Sequence, residues 1–446
     1  METFEILTEL LHNKKWKELK EILDEMNEQD IAEIFMELEE SDLTHIYLLL
    51  NKELAAEVFV NMEPEYQEQL IRAFSDSELR EVLDELYVDD AVDLIEEMPS
   101  SLVKRILKHT DPETRKKINE ILKYPEDSAG SIMTIEYVDL KRSMTVADAF
   151  TRIRRTGVDK ETIYTCYVTD SKRKLKGVVT VKELLLADEN ATIREIMEDN
   201  VISVNTSEDK EVVADLFEKY DLLALPVVDR ENRLVGIITV DDAIDVMQEE
   251  ITEDMELMAA ITPTDKPYLK MSVFENFKKR IPWLMLLMVS ATFTEKIITH
   301  FEGALTACVA LTAFIPMLTG TCGNCGNQSS STIIRGISLG EIEFKDTLKV
   351  VLKEFSIALI CGIALAIVNF AKLMIFDDVG WQIALVVSVT MIAAVVFAKV
   401  VGSILPVIAK KIGFDPAVMS SPFISTIVDA VTLLIYFTIA SSLLNV

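Results

Sequence analysis

Apolar positions follow four successive patterns along this chain. Over residues 1–124 they recur at helical spacing in short units, at residues 30–38, 54–62, 79–86 and 91–98. The first three units start about 24 residues apart, with Ser, Asp and Pro between them. Glycine is absent here, and proline occurs only at Pro64, Pro99 and Pro112. The pattern predicts stacked helix pairs, a small superhelical domain over 1–124. After a break at 124–130 (YPEDSAG), the period turns to strand, turn, strand, helix, and it does so twice. Residues 167–185 align with 226–244 at an offset of 59: Asp170 with Asp229, Gly177 with Gly236, Thr180-Val181 with Thr239-Val240. An Ile-Met pair, Ile132-Met133 or Ile196-Met197, precedes each copy. From 241 a charged amphipathic helix is predicted, with Ile244, Met247, Ile251, Met255 and Met258 on one face.

Beyond it the pattern is apolar. Five segments, at about 282–300, 304–322, 351–376, 381–409 and 416–444, are long enough to cross a bilayer. Basic residues gather at 278–280, 335–353 and 410–411. By the positive-inside rule the N-terminus lies inside, the C-terminus outside, and the number of spans is odd. The first apolar run begins more than 250 residues in, so the soluble half is expected to stay in the cytoplasm.

Charge sharpens this division. The formal net charge is −30. From Arg280 onward the charges balance, so the whole excess lies before it. An acidic half of this kind repels nucleic acid and attracts cations. The five cysteines and four histidines show no disulfide framework and no zinc-ligand spacing; Cys322 and Cys325 read as small packing residues. No phosphate-cradling glycine loop and no nucleophile–base pair supports an enzyme.

The candidate chemistry is acidic. Asp429 stands alone in the final span, with no basic residue from Ala417 to the end. A carboxylate at that depth costs several kcal/mol, so it marks either a cation site or a protonated acid joining helices. Between spans two and three, residues 320–341 carry glycines, Asn324, Asn327, Gln328 and a Ser/Thr run, which supply neutral oxygens. Pro416 and Pro422 are expected to unsettle the start of the last span and free backbone carbonyls around Ser425. Asp89 and Asp93, at i and i+4, share a helix face. Eight acids crowd 241–256. Lys399 sits inside the fourth span, where a neutral residue is expected; it either snorkels, pairs with a carboxylate, or faces a vestibule.

The repeated D-x(6)-G-[VI]-[VI]-T-V pattern resembles a pair of cystathionine-β-synthase-type (CBS) modules, many of which bind adenosine nucleotides between the copies. The motif GTCGNCGNQSSSTIIRG (320–336), followed by DPAVMSSPFISTIVD (415–429), resembles the MgtE family of magnesium channels, and the resemblance covers the chain. It implies a multidomain α/β and polytopic α-helical membrane protein. The expected parts are a helical N domain (1–124), a tandem CBS pair (131–246), an acidic plug helix (247–267) and five transmembrane helices per subunit (280–446). It also implies a homodimer in the lipid bilayer of the cell, with the pore between the last spans. Asp429 becomes the pore carboxylate and Asp415 its cytoplasmic mouth, beside Ser425 and Asn327. Regulatory Mg²⁺ ligands are expected at Asp209, Glu211, Glu218, Asp221, Asp242, Asp245, Glu250, Glu253 and Asp254, and in the N domain at Asp89 and Asp93. ATP is a further expected ligand of the CBS pair. The alternative is a CBS-regulated transporter of another divalent cation, such as Co²⁺ or Mn²⁺.

Overall fold

The computed structural model describes residues 2–264, 266, 268–377, 379–419 and 421–444. The chain forms two compact units, residues 1–247 and 248–446.

The first unit begins with ten helices among the described residues, α1–α10, between Glu2 and Ile121. Local chemistry sets their ends. Asn27 caps α3 (Glu28–Met36), accepting from the Gln29 N–H, and Asn51 caps α5 (Lys52–Val60). Ser75 and Glu78 form a reciprocal capping box on α7 (Asp76–Leu83). The three evenly spaced units are these alternate helices. α3 packs on α5, α5 on α7, and α7 on α9 (Ser100–His109), so the repeat is a superhelical stack. Phe35, Phe59, Leu70, Ile71 and Val92 are buried in the core that runs through it. The fourth unit falls on α8 (Val88–Glu97), between α7 and α9.

The repeat that follows is a repeat of structure. β1 (Asp139–Lys141), α11 (Val146–Thr156), β2 (Thr165–Thr169), β3 (Leu175–Thr180) and α12 (Val181–Leu186) form the first copy. A short α13 (Ile193–Ile196) leads to the second: β4 (Val204–Asn205), α14 (Lys210–Tyr220), β5 (Ala224–Val228), β6 (Leu234–Thr239) and the start of α15 (Val240–Met258). In each sheet the first strand pairs parallel with the second, and the second antiparallel with the third. The Ile-Met segments are exchanged between copies. Thr134, before β1, exchanges two backbone hydrogen bonds with Ile237 of β6, while Glu198 does the same with Val178 of β3. The matched glycines permit it: a Cβ on Gly236 would lie 2.7 Å from the Thr134 carbonyl oxygen, and one on Gly177 2.8 Å from that of Glu198. The two copies are therefore interlocked.

α15 is continuous from Val240 to Met258, with no break at the expected domain boundary of 246/247. The expected end of the plug includes residues 265 and 267, which lie outside those described.

In the second unit α16 (Val273–His300) leads to a short α17 (Glu302–Ala307) and then to α18 (Ile315–Ser338). α19 (Thr347–Ile375), α20 (Trp381–Ile412) and α21 (Ser421–Leu444) complete it. Four helices, within 273–300, 344–375, 381–411 and 416–444, are long and apolar enough to cross a membrane. The expected second span at 304–322 is not one helix. It divides into α17, a 3₁₀ turn at Val309–Phe314 and the start of α18. The Gly/Asn/Ser run, expected as the link between spans two and three, lies inside α18 instead, because tight packing rewards its small residues. Gly323, Gly326, Ser329 and Ser330 are buried. At the crossing of α18 and α20, a Cβ on Gly402 would stand 2.3 Å from the Gly326 carbonyl oxygen, and backbone cannot rotate away. Gly402→Ala is expected to cost at least about 1–3 kcal/mol. Thermal unfolding of the detergent-solubilised protein should show a lowered midpoint; an unchanged one would mean that the helices separate freely.

Candidate functional site

Two clusters of oxygen atoms stand out, one in each unit. In the membrane-competent unit, α21 carries Ser425 and, one turn later, Asp429, which is half-buried. Both face α18 where it lacks a side chain: a Cβ on Gly323 would be 3.7 Å from Ser425 Oγ and 3.9 Å from Asp429 Oδ1. One turn along α18, Asn327 donates from Nδ2 to Ser425 Oγ at 3.3 Å. That bond turns Asn327 Oδ1 inward, where it is buried with no hydrogen-bond partner among the described residues. A buried acceptor left unmade costs about 1–3 kcal/mol unless water or a cation serves it. Asp429, Ser425 and Asn327 thus form a short strip of oxygens between two helices.

The side-chain hydroxyl of Ser425 joins this strip, not a freed backbone carbonyl. α21 is helical from Ser421, which places Pro422 in the first turn, where its missing N–H costs nothing. Asp415 is exposed outside the strip, and its Oδ1 accepts from the Ala417 N–H at 2.7 Å, capping the 3₁₀ turn Pro416–Met419. Lys399 is neither neutral in role nor snorkelling. It is buried, 3.7 Å from the carboxylate of Glu354.

The second cluster joins the N domain to the CBS pair. Asp89, Asp90 and Asp93 lie on α8, and Asp242 lies in the first turn of α15, where it accepts from the Thr239 hydroxyl at 2.6 Å. Glu136 approaches the start of α8, accepting from the Val88 N–H at 3.3 Å, and Lys117 stands 3.4 Å from its other oxygen. Glu161 completes the group. Asp89 Oδ1 and Glu161 Oε2 are buried without a hydrogen-bond partner among the described residues. Burial first, and then the neighbouring charges, push these carboxyls up: Asp242 to about 6, Asp90 to about 7 and Glu161 to about 8, with Asp89 raised as well. Asp93 is raised for the same reasons, although solvent still reaches it.

The sign of this linkage gives a prediction. Each carboxyl binds its proton more tightly in the folded unit than in an unfolded chain, so stability falls as pH rises. The contribution is complete below the ordinary carboxyl range near 4, declines as pH rises above it, and is gone once pH has passed the folded values of about 6 to about 8. Without divalent cations, protease cleavage around residues 124–136 of the full-length protein is expected to quicken between pH 5.5 and 8.5. Cleavage that slows or stays level would show that these carboxyls are not crowded in solution.

The other expected ligands are dispersed. Asp209 caps α14, accepting from the Glu211 N–H at 2.9 Å; Glu211 and Glu218 are exposed on that helix; and Asp221 is its left-handed C-cap. Asp245 is exposed on α15, while Glu250, Glu253 and Asp254 lie on its later turns. Among the described residues, no three His, Cys, Asp or Glu side chains converge closely enough to coordinate a metal directly. Asp90, Glu136 and Glu161 join the cluster without a periodic signal in the sequence. Only the position of Asp90 beside Asp89 hinted at one of them.

Such a chain, with a helical N domain, an interlocked CBS pair and apolar helices that carry a half-buried aspartate beside neutral oxygens, has the architecture of a multi-pass membrane transporter of cations. Family models agree in order along the chain. The MgtE intracellular N domain matches residues 26–127, the CBS domain 129–190 and 193–249, and MgtE, a divalent cation transporter, 315–439. The magnesium transporter MgtE of Thermus thermophilus is 37% identical over 397 residues, 88% of either chain. That of Bacillus subtilis is 33% identical over 396 residues, 86% of this chain and 84% of its own. This chain belongs to the MgtE family of magnesium transporters. A crystal structure of the cytosolic domain of the Mg²⁺ channel MgtE in complex with ATP is 40% identical, with a TM-score of 0.52, covering 54% of this chain and 98% of that one. The soluble part of a magnesium transporter matches at 33% identity and a TM-score of 0.53, covering 56% and 98%.

Proposed function

We propose that this chain is a Mg²⁺-selective uptake channel or transporter that closes when cytoplasmic Mg²⁺ is high. The observation that carries the reading is the strip of Asp429, Ser425 and Asn327, with its unserved buried oxygen. Mg²⁺ gives up its waters reluctantly, so oxygens of this kind suit a hydrated ion held through its waters. One Asp429 per chain supplies a single charge against a dication. A two-fold interface supplies the second, which makes the working unit a homodimer. α18, 24 residues long and packed among α20 and α21, serves as a fifth membrane helix. An odd number of spans and the positive-inside rule support a cytoplasmic N-terminal unit and a C-terminus outside.

The acidic cluster fits the role of sensor. Asp89, Asp90, Glu161 and Asp242 would hold a hydrated Mg²⁺ through its waters, with Asp93 at the solvent edge, and the orphaned oxygens of Asp89 and Glu161 can accept from those waters. The bound ion supplies positive charge between like-charged surfaces. When the carboxylates are bare they repel, and the N domain is driven from the CBS pair; when they are neutralised the two stay together and the closed state is favoured. Asp209, Glu211, Glu218 and Asp221 on α14, and Asp245, Glu250, Glu253 and Asp254 on α15, are further candidate ligands outside this cluster. ATP fits less well. The cavity of about 360 Å³ in the first CBS copy is lined by Arg152, Lys160 and Arg173. Arg152 is bound to Asp139, and Arg173 to the Tyr137 hydroxyl and the Leu234 carbonyl.

The test is uptake in a transport-deficient cell starved of magnesium. Expression should restore growth, with Co²⁺ and Mn²⁺ competing poorly. Growth that stays dependent on added Mg²⁺, or uptake that prefers Co²⁺ or Mn²⁺, would overturn the reading.

A further inference from the structure

Glu354, two turns into α19, and Lys399 of α20 are 8% and 5% exposed, each in a helix apolar enough to cross a membrane. Their charges meet on α18. Ser329 Oγ donates to Glu354 Oε2 at 2.5 Å and accepts from Lys399 Nζ at 3.2 Å, while the ammonium stands 3.7 Å from the same carboxylate oxygen. The glycine crossing seats this triad. Ser329 lies three residues after Gly326 and Lys399 three before Gly402, so the contact falls one turn from the place where the two backbones touch. A further part of α18 carries Gly323 and Asn327, which face Asp429 and Ser425. Six residues separate Gly323 from Ser329, about 9 Å along the helix axis.

A buried ion pair adds little to stability compared with apolar residues of the same size, so stability alone does not account for this one. Its field is a stronger reason. Over a separation of this order, and where salt is kept out, a lone charge is screened little and still acts on a dication beside Asp429. We propose that Lys399 and Glu354 form a tethered counter-ion pair that sets the potential of the ion path: the ammonium cancels Glu354 and leaves Asp429 as the carboxylate that holds the permeating dication. The proposal rests on the reading that the cation passes Asp429. Both residues are positioning residues, acting by their field and, through Ser329, on the setting of α18.

Neutralising one partner at a time tests it. Initial Mg²⁺ uptake is measured against Mg²⁺ concentration in liposomes holding the full-length protein. The variants are Glu354→Gln, Lys399→Met, the double variant and, in parallel, Asp429→Asn. Glu354→Gln leaves an unpaired ammonium, and the half-saturating Mg²⁺ is expected to rise on the order of tenfold. Lys399→Met leaves an unpaired carboxylate; half-saturation should fall by a similar factor, with a lower maximal rate as the ion is held longer. The double variant should return to within about twofold of wild type. Shifts of both single variants in the same direction, or an unmoved half-saturation in both, overturn the proposal, since a packing role moves neither apart. If a single variant fails to accumulate, the double decides: wild-type half-saturation supports the proposal, whereas a double that does not fold, has lost uptake or saturates elsewhere overturns it. Normal uptake by Asp429→Asn would instead remove the ion path from Asp429, an outcome separate from the opposed shifts of the other two.

Discussion

Asp429→Ala is expected to lower saturable Mg²⁺ uptake at least a hundredfold while the protein remains folded. The substitution removes the acid that faces Gly323 and Ser425 and leaves α21 without a charged side chain. A hydrogen bond to a charged group contributes about 1.5–3 kcal/mol, and the proposed two-fold assembly would lose it twice, which gives a factor on the order of 10² or more. Folding should not suffer, because alanine in an apolar helix relieves the cost of burying a carboxylate. Asp429→Asn keeps the hydrogen-bonding shape and discards the charge, so it separates the two readings of this residue. Uptake in liposomes and mass in mild detergent measure both effects. An amide variant that transports normally would mean that Asp429 joins helices and binds no cation.

The second large effect is expected in the proposed sensor. Replacing Asp89, Asp90 and Asp242 by alanine takes carboxylates from both sides of the contact between the N domain and the CBS pair. Two consequences oppose each other. Repulsion falls, which holds the domains together without Mg²⁺, and the ligands vanish, which removes the response to Mg²⁺. A variant without these ligands leaves Mg²⁺ nothing to bind at the contact, whatever the repulsion, so loss of the response should dominate. Coupling between sites is commonly worth 1–3 kcal/mol, so wild-type uptake should fall about 5- to 150-fold between micromolar and millimolar cytoplasmic Mg²⁺. The triple variant should change less than about twofold, and its protease resistance should no longer depend on Mg²⁺. A variant that still closes over the same range would move the sensor to the acids on α14 or on the later turns of α15.

The sequence by itself determined whatever depends on near neighbours. Asn27, Asn51 and the Ser75–Glu78 box mark helix starts because a cap acts within three residues. The offset of 59 exposed the duplicated module because both copies need the same glycine and the same turn. Asp429 was conspicuous because bilayer depth makes any lone acid costly. Tertiary structure decided what depends on residues far apart in the chain. Hydropathy placed the Gly/Asn/Ser run outside the membrane helices, because it cannot see that Gly326 and Gly402 bring two backbones together and make small polar residues the ones that fit. The exchange of the Ile-Met segments arises from bonds between residues about a hundred positions apart, Thr134 with Ile237. Glu136 and Glu161 stand in irregular segments and show no period, yet the fold carries them to α8. Lys399 looked out of place in its own helix, and its counter-ion lies in another, 45 residues earlier. Backbone periodicity is local, whereas a charge finds its partner only where helices meet.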